Sequence, residues 1–206
     1  MYDIDLPGSA GEHCLQETQG TETRAAKFYH DQVSDRLTPR MQEFIARMDM
    51  MWVATADGAG ECDCSFRSGP PGFVRILGGH QLAYPDYRGN GVMASSGNVM
   101  QNPHVGLWFG DFEQDLIGLH VNGTAAVLTP EQMRRADPSL AEETHPGRRP
   151  GHWVMVYVEE CFIHCRKHLP RLERQPRNRK WGSDSTRDKG GDYFGVAAER
   201  ATAEAP

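Results

Sequence analysis

No stretch of this chain approaches the roughly 20 consecutive apolar residues that a membrane-spanning helix needs, so no such helix is expected. Positive charge is also short. Twenty-two lysines and arginines against 28 acidic residues leave a net charge of −6, which argues against a nucleic-acid binder that works through bulk charge. The basic residues gather between Arg166 and Lys189, so a local basic patch stays open. Cysteine is scarce and odd in number: Cys14, Cys62, Cys64, Cys161 and Cys165. Five thiols do not make the even-numbered framework of a small secreted domain, and they read as reduced thiols of a cytoplasmic protein. Residues 1–20 carry neither a basic n-region nor an apolar h-region, so they are not read as a signal peptide. Sequence motifs for acyl transfer, zinc proteolysis, phosphate loops and dinucleotide binding are all missing. The carboxylate pairs Glu142-Glu143 and Glu159-Glu160 are sequence neighbours, and neither is a convincing acid–base couple. A cofactor that carries the chemistry itself would account for so few reactive side chains.

What is present is a pattern of short strands. At 206 residues the chain is long enough for one good core and too short for two ordinary domains. Residues 1–23 read as a loose polar leader, 24–170 as the folded domain, and 171–206 as a basic extension with a disordered end from 197 onward. Thr38-Pro39 signals a helix start, and Met41, Phe44, Ile45 and Met48 follow at one-face helical spacing. Strand-like runs cover 50–55, 61–67, 73–77, 81–84, 104–109, 116–122 and 124–128, with Gly123 as an interruption. Residues 92–101 can form a helix, and Thr129-Pro130-Glu131-Gln132 is a capping box for another. Residues 137–151 read as a Pro/Gly-rich loop. The run 153–164 is bulky on both alternating faces, as an interior strand of a closed sheet would be. Strands that follow one another so directly predict a mainly β chain, antiparallel and closed into a barrel.

Three segments hold polar residues that a bare barrel would not need. Cys64-Ser65-Phe66-Arg67 ends a strand before the stiff Gly69-Pro70-Pro71-Gly72 connector. Residues 84–91, Tyr-Pro-Asp-Tyr-Arg-Gly-Asn-Gly, run into a helix that bears Ser95, Ser96 and Asn98. Such a loop is either a plain turn or an anion cradle, because backbone N–H groups at a helix start and a nearby arginine both favour phosphate. The third is 161–168, where Cys161 and Cys165 could join Cys62 and Cys64 around zinc, although the familiar spacings are absent. Buried cysteines acting as small hydrophobes are the simpler reading.

Taken in order, Trp52 to Asp57, Gly60 to Arg67, Gly69 to Arg75, Leu82 to Asn90, Ser95 to Asn98, Asn102 to Leu107 and Phe162 to Lys167 resemble the pyridoxamine-5'-phosphate-oxidase-like split-barrel proteins. The resemblance spans roughly 26–170. It implies an antiparallel, FMN-binding split β-barrel of six strands and an obligate homodimer with flavin between subunits. It further implies that Ser65, Phe66 and Arg67 meet the flavin, and that Tyr84, Pro85, Asp86 and Tyr87 lie along the ring edge. By the same resemblance Arg88, Asn90, Ser95, Ser96 and Asn98 would serve the phosphate, with Lys167 arriving from the partner. The Arg-Leu-His-x-Arg run that true pyridoxamine-phosphate oxidases carry after a Trp-Gly is missing. Trp181-Gly182 is followed by Ser183-Asp184 instead, so the vitamin substrate is not implied. The expectation is an FMN-dependent oxidoreductase acting on a small molecule by hydride transfer through flavin N5. The alternatives are a split barrel that holds flavin, haem or deazaflavin without turnover, and a structural zinc protein.

Overall fold

The computed structural model describes residues 6–203. Within the loose leader expected over 1–23 stands helix α1 (Ala10–Gln19), and α2 (Glu22–Gln32) begins at its end and runs into the domain. Ser9 and Glu12 close a reciprocal capping box on α1, and Gly20 ends it in the left-handed region at φ 61°. Neither helix buries a residue. The hairpin touches the sheet through Phe28 against Phe162, 6.0 Å between rings. Residues 1–5 of the expected leader, and 204–206 of the expected disordered end, lie outside the described residues. Within that end, α6 (Val196–Ala203) is helical.

The helix α3 (Pro39–Arg47) forms as its Thr-Pro start predicts, with the Thr38 hydroxyl accepting from the Met41 N–H and Ile45 fully buried. Then come β1 (Met50–Ala56) and β2 (Cys62–Ser68), joined by a turn in which the Asp57 carboxylate accepts from the N–H groups of Ala59 and Glu61. The expected strand at 73–77 shrinks to β3 (Arg75–Ile76), while β4 (Gln81–Asp86) runs two residues past its expected end. Helix α4 (Ala94–Gln101) starts later than expected, because Met93 adopts φ 57°. Strands β5 (His104–Asp111) and β6 (Ile117–Leu128), helix α5 (Pro130–Ala136) and β7 (His152–His164) complete the domain.

Gly123 does not divide two strands. It lies opposite a bulge in β7, where the pairing shifts from Asn122↔Glu160 to Gly123↔Val158 and leaves Glu159 as the extra residue. A side chain there would meet the Tyr157 carbonyl oxygen at 2.0 Å. The shift also flips the alternation of β7, so Val158 and Cys161 both face the core.

The seven strands form one antiparallel sheet in the order β2-β1-β5-β6-β7-β4-β3. Its hydrogen-bonded ladder does not close, which corrects the expectation of a fully closed barrel: β2 and β3 remain edges. The sheet nonetheless curls around one core, since Met51 and Val53 of β1 pack in the same cluster as Leu82 and Tyr84 of β4. This is a mainly β, antiparallel split barrel. The outer face of β4 and β7 is covered as well, by Met133 of α5 against Ala83, Trp153 and Met155. That second cover explains why the 153–164 run is bulky on both faces. Among the described residues no helix is long and apolar enough to cross a membrane.

Candidate functional site

The split is bridged by two consecutive residues at the start of α4. The Ser95 hydroxyl donates to Asp63 Oδ2 of β2 at 2.7 Å, and the Ser96 hydroxyl donates to Asp86 Oδ2 of β4 at 3.4 Å. The start of β2 and the end of β4 are therefore held by neighbouring residues of one helical turn. Ser65 also donates to Asp63, at 3.2 Å. Ser96 Oγ lies 2.7 Å from His152 Nε2, and the same nitrogen lies 3.0 Å from Asp86 Oδ2. Serine and carboxylate share one ring nitrogen, so these three residues are no nucleophile relay, which needs the carboxylate on the opposite nitrogen. Instead the two carboxylates sit where the positive end of α4 favours negative charge. No side chain caps that end.

Strand alternation sets which residues face the split. Asp63, Ser65 and Arg67 point inward with Thr55, Val53 and Met51, their respective cross-strand neighbours on β1. Tyr84 and Asp86 point inward from β4. Among the described residues the Arg67 Nε is buried without a hydrogen-bond partner, as is the Arg148 Nε. Tyr84 is almost fully buried, and burial pushes its hydroxyl pKa well above the ordinary value, with the charge of Arg67 pulling the other way. Among the described residues, 84–86 have no strand on their outer side beyond the short β3, and β2 has none along its whole length. Two unpaired backbone edges thus flank the cleft.

Ser65, Arg67, Tyr84, Asp86, Ser95 and Ser96 come together here as inward-facing groups. Phe66 and Pro85 do not. Phe66 faces outward against Trp52, 5.2 Å between rings, and Pro85 is paired with Trp153 on the other outer face. Tyr87 stands edge-on to Trp181 at 5.4 Å, its hydroxyl pushed up to about 12 by burial and then by Glu143. Arg88 is exposed and paired with Asp184. Asn90 accepts from the Val92 N–H in a local turn, and Asn98 donates to Thr55 beneath α4. Lys167 sits in a short 3-10 turn after β7. Tyr84 pairs with Val154, and ten further residues of strand put His164 about 33 Å away, so within one chain Lys167 is remote from the cleft. The four cysteines once weighed for zinc are scattered. Cys62 and Cys64 are exposed on β2, whereas Cys161 is buried on β7, four strands further on in the sheet, its thiol donating to the Arg36 carbonyl. Asp63, His152 and Trp181 were missed. Asp63 shares the alternation of Ser65 and Arg67 and was legible there; His152 opens β7 just after a Pro/Gly-rich loop and Trp181 lies in the segment after β7, and neither position carries a spacing signal.

The family model for pyridoxamine 5'-phosphate oxidase matches residues 37–165, a span running from two residues before α3 to one residue past β7. The chain belongs to the pyridoxamine 5'-phosphate oxidase family. No curated protein matches it. Among solved structures it is similar to HupZ of Group A Streptococcus, at 18% identity and TM-score 0.45, covering 66% of this chain and 98% of that one. A protein of Lactobacillus delbrueckii, provisionally named a pyridoxamine 5'-phosphate oxidase, matches at 19% and 0.47, over 63% and 95%. The heme storage protein HutZ of Vibrio cholerae matches at 17% and 0.39, over 62% and 94%.

Proposed function

We propose that this family member is an FMN-dependent oxidoreductase that holds its flavin in the split between β2 and β4. The observation that carries the reading is the buried, unpartnered Arg67 Nε between two open sheet edges. A buried donor without an acceptor is costly, and an acceptor-rich ring beside it removes that cost. Backbone groups on the free edge at 84–87 would receive the polar rim of the ring, with Ser65 beside Arg67. The loop residues Arg88 and Asn90 and the hydroxyls of Ser95 and Ser96 would take the phosphate. For that the serines must turn from Asp63 and Asp86, and Arg88 must leave Asp184. Both exchanges occur at short, rotatable side chains or an exposed ion pair, which is worth little in water. Bound there, the flavin would supply hydride acceptance and donation at N5, while the protein positions the substrate and excludes water.

A homodimer belongs to the same proposal. The outer face of β2, β1 and β5 presents Phe66, Trp52 and Trp108 in one cross-strand row, with Phe66 more than half exposed. A second copy seated on this face would cover the row and bring its Lys167 to the first copy's cleft. The absent Arg-Leu-His-x-Arg run supports a small-molecule substrate other than the vitamin phosphate.

The visible spectrum of the purified protein, with FMN added if it is colourless, tests the cofactor. Flavin absorbance should travel with the protein through gel filtration; none retained at saturating FMN overturns the reading. A second reading, a barrel that carries haem or another pigment without turnover, draws on the outer face. His120 Nε2 and His164 Nδ1 lie 3.1 Å apart there, His120 stacked on Phe162 and His164 edge-on to Trp108. A haem absorption band that His120→Phe abolishes would favour it.

A further inference from the structure

The basic segment after β7 would be expected to be solvated. Instead it is docked. The Leu172 N–H donates to the Phe112 carbonyl at 2.8 Å, and Arg171 donates to the Glu113 carbonyl at 2.7 Å. Arg174 grips Asp49 with both terminal nitrogens while its Nε donates to Glu113 at 2.9 Å. Arg179 donates to Asp49 at 2.8 Å and to the Gly69 carbonyl at 3.0 Å. Asp49 is buried, so one carboxylate beneath the surface holds two guanidiniums of the same segment.

Two residues on, the segment reaches a different part of the fold. Trp181 packs against Tyr87, Asp184 pairs with Arg88, and Arg179 lies 5.8 Å from the Trp181 ring. The backbone there is fitted into the loop before β7: a side chain on Gly147 would meet the Trp181 carbonyl oxygen at 2.3 Å, and one on Gly182 would meet the Gly147 Cα at 2.6 Å. Gly182 also holds φ 70°, a conformation that glycine adopts without strain.

These contacts have a direction. Asp49 and Gly69 flank the β1–β2 hairpin, whose outer strand β2 is one margin of the split. Tyr87 and Arg88 follow β4, the other margin. We infer that residues 170–184 form a strap that crosses the split from margin to margin and closes the cofactor cleft, with Asp49 as its anchor and Trp181 as the wall beside the Tyr87–Arg88 loop. The inference rests on the cleft proposed above as the flavin site. It makes Trp181 a positioning and specificity element: the part of a ligand lying nearest Arg88 must pass the indole or displace it. It also gives the Arg88–Asp184 pair a purpose, since a phosphate arriving at Arg88 competes with the strap's own carboxylate.

The test uses the full chain with Arg174→Gln and Arg179→Gln combined, which removes the anchor's partners without touching the barrel. Asp49→Asn serves as the second variant, keeping the shape of the anchor. Circular dichroism checks that each barrel folds. Three readouts follow: tryptic cleavage at Arg177 and Lys180, hydrogen exchange of amides on the free edges of β2 and β4, and the rate at which bound FMN is lost. Both variants should show faster cleavage, faster edge exchange and flavin loss roughly 10-fold faster, as expected when charge-assisted hydrogen bonds are removed. Cleavage at the wild-type rate would overturn Asp49 as the anchor. Faster cleavage with unchanged edge exchange would overturn the strap as a cover. If the wild type takes up no FMN, the cofactor reading fails by itself and edge exchange alone decides for or against the strap.

Discussion

Replacing Arg67 by methionine should move stability and cofactor affinity in opposite directions. Methionine keeps an unbranched apolar stem of similar reach and deletes the buried Nε that has no acceptor. An unsatisfied buried donor costs about 1–3 kcal/mol. Part of that gain is offset by the lost attraction to the acidic groups around the cleft, so a net gain of about 1–2 kcal/mol is expected. For a domain of this size each kcal/mol moves the melting temperature by about 2–4 °C, giving a ligand-free Tm higher by roughly 2–8 °C. FMN binding should suffer, because a hydrogen bond from a charged donor is worth about 1.5–3 kcal/mol, or about 10- to 150-fold in Kd. Thermal melting without ligand and flavin fluorescence titration read the two quantities on the same preparations. A variant that melts lower and still binds FMN normally would refute the reasoning, for it would make Arg67 a structural cation with partners of its own.

Gly123→Ala should destabilise the fold by about 3 kcal/mol, near the upper end of overpacking costs, because the new methyl meets a carbonyl oxygen held in the β6–β7 ladder; a denaturant midpoint within error of wild type would show that the bulge can shift freely. Acid should weaken the outer face. Burial, and then the neighbouring His164, holds the His120 pKa below its ordinary value. The unfolded chain therefore takes the proton first: the stability is fully present above about pH 6.5, the unfolded value, and is lost as pH falls from there through the lower folded value. His120→Phe keeps the stack on Phe162 and should flatten denaturant stability between pH 7.5 and 5.5, whereas an unchanged pH slope would assign the acid sensitivity elsewhere.

Much of the barrel was legible because its signals are local. Thr38-Pro39 and Thr129-Pro130 start helices where they stand, and the two-faced run of β7 announces an interior strand. The α1 helix was overlooked because its polar composition outweighed Ser9-x-x-Glu12 and Gly20, cap signals that were present all along. Gly123 looked like a terminator, since in one dimension a glycine opposite a bulge and a glycine at a break look the same. The site divides in the same way. Alternation along β2 selects Ser65 and Arg67, and with equal force should have added Asp63 and excluded Phe66. His152 and Trp181 reach the cleft only through the curl of the sheet and the path of the strap. Those are properties of contacts between distant residues, which no spacing encodes. The strap itself was hidden by its charge, as an arginine-rich segment resembles solvated chain until a buried Asp49 appears beneath it.

The separation of 125 residues between Asp49 and Arg174 also sets an order of events during synthesis. At about 5–20 residues per second a ribosome takes about 6–25 s to travel that distance, and a strand pair or a hairpin needs only microseconds. The β1–β2 margin can thus be folded for many seconds before the residues that bind its anchor exist. During that interval the proposed cleft lacks its strap, so a flavin would meet fewer contacts to displace on the nascent chain than on the finished one.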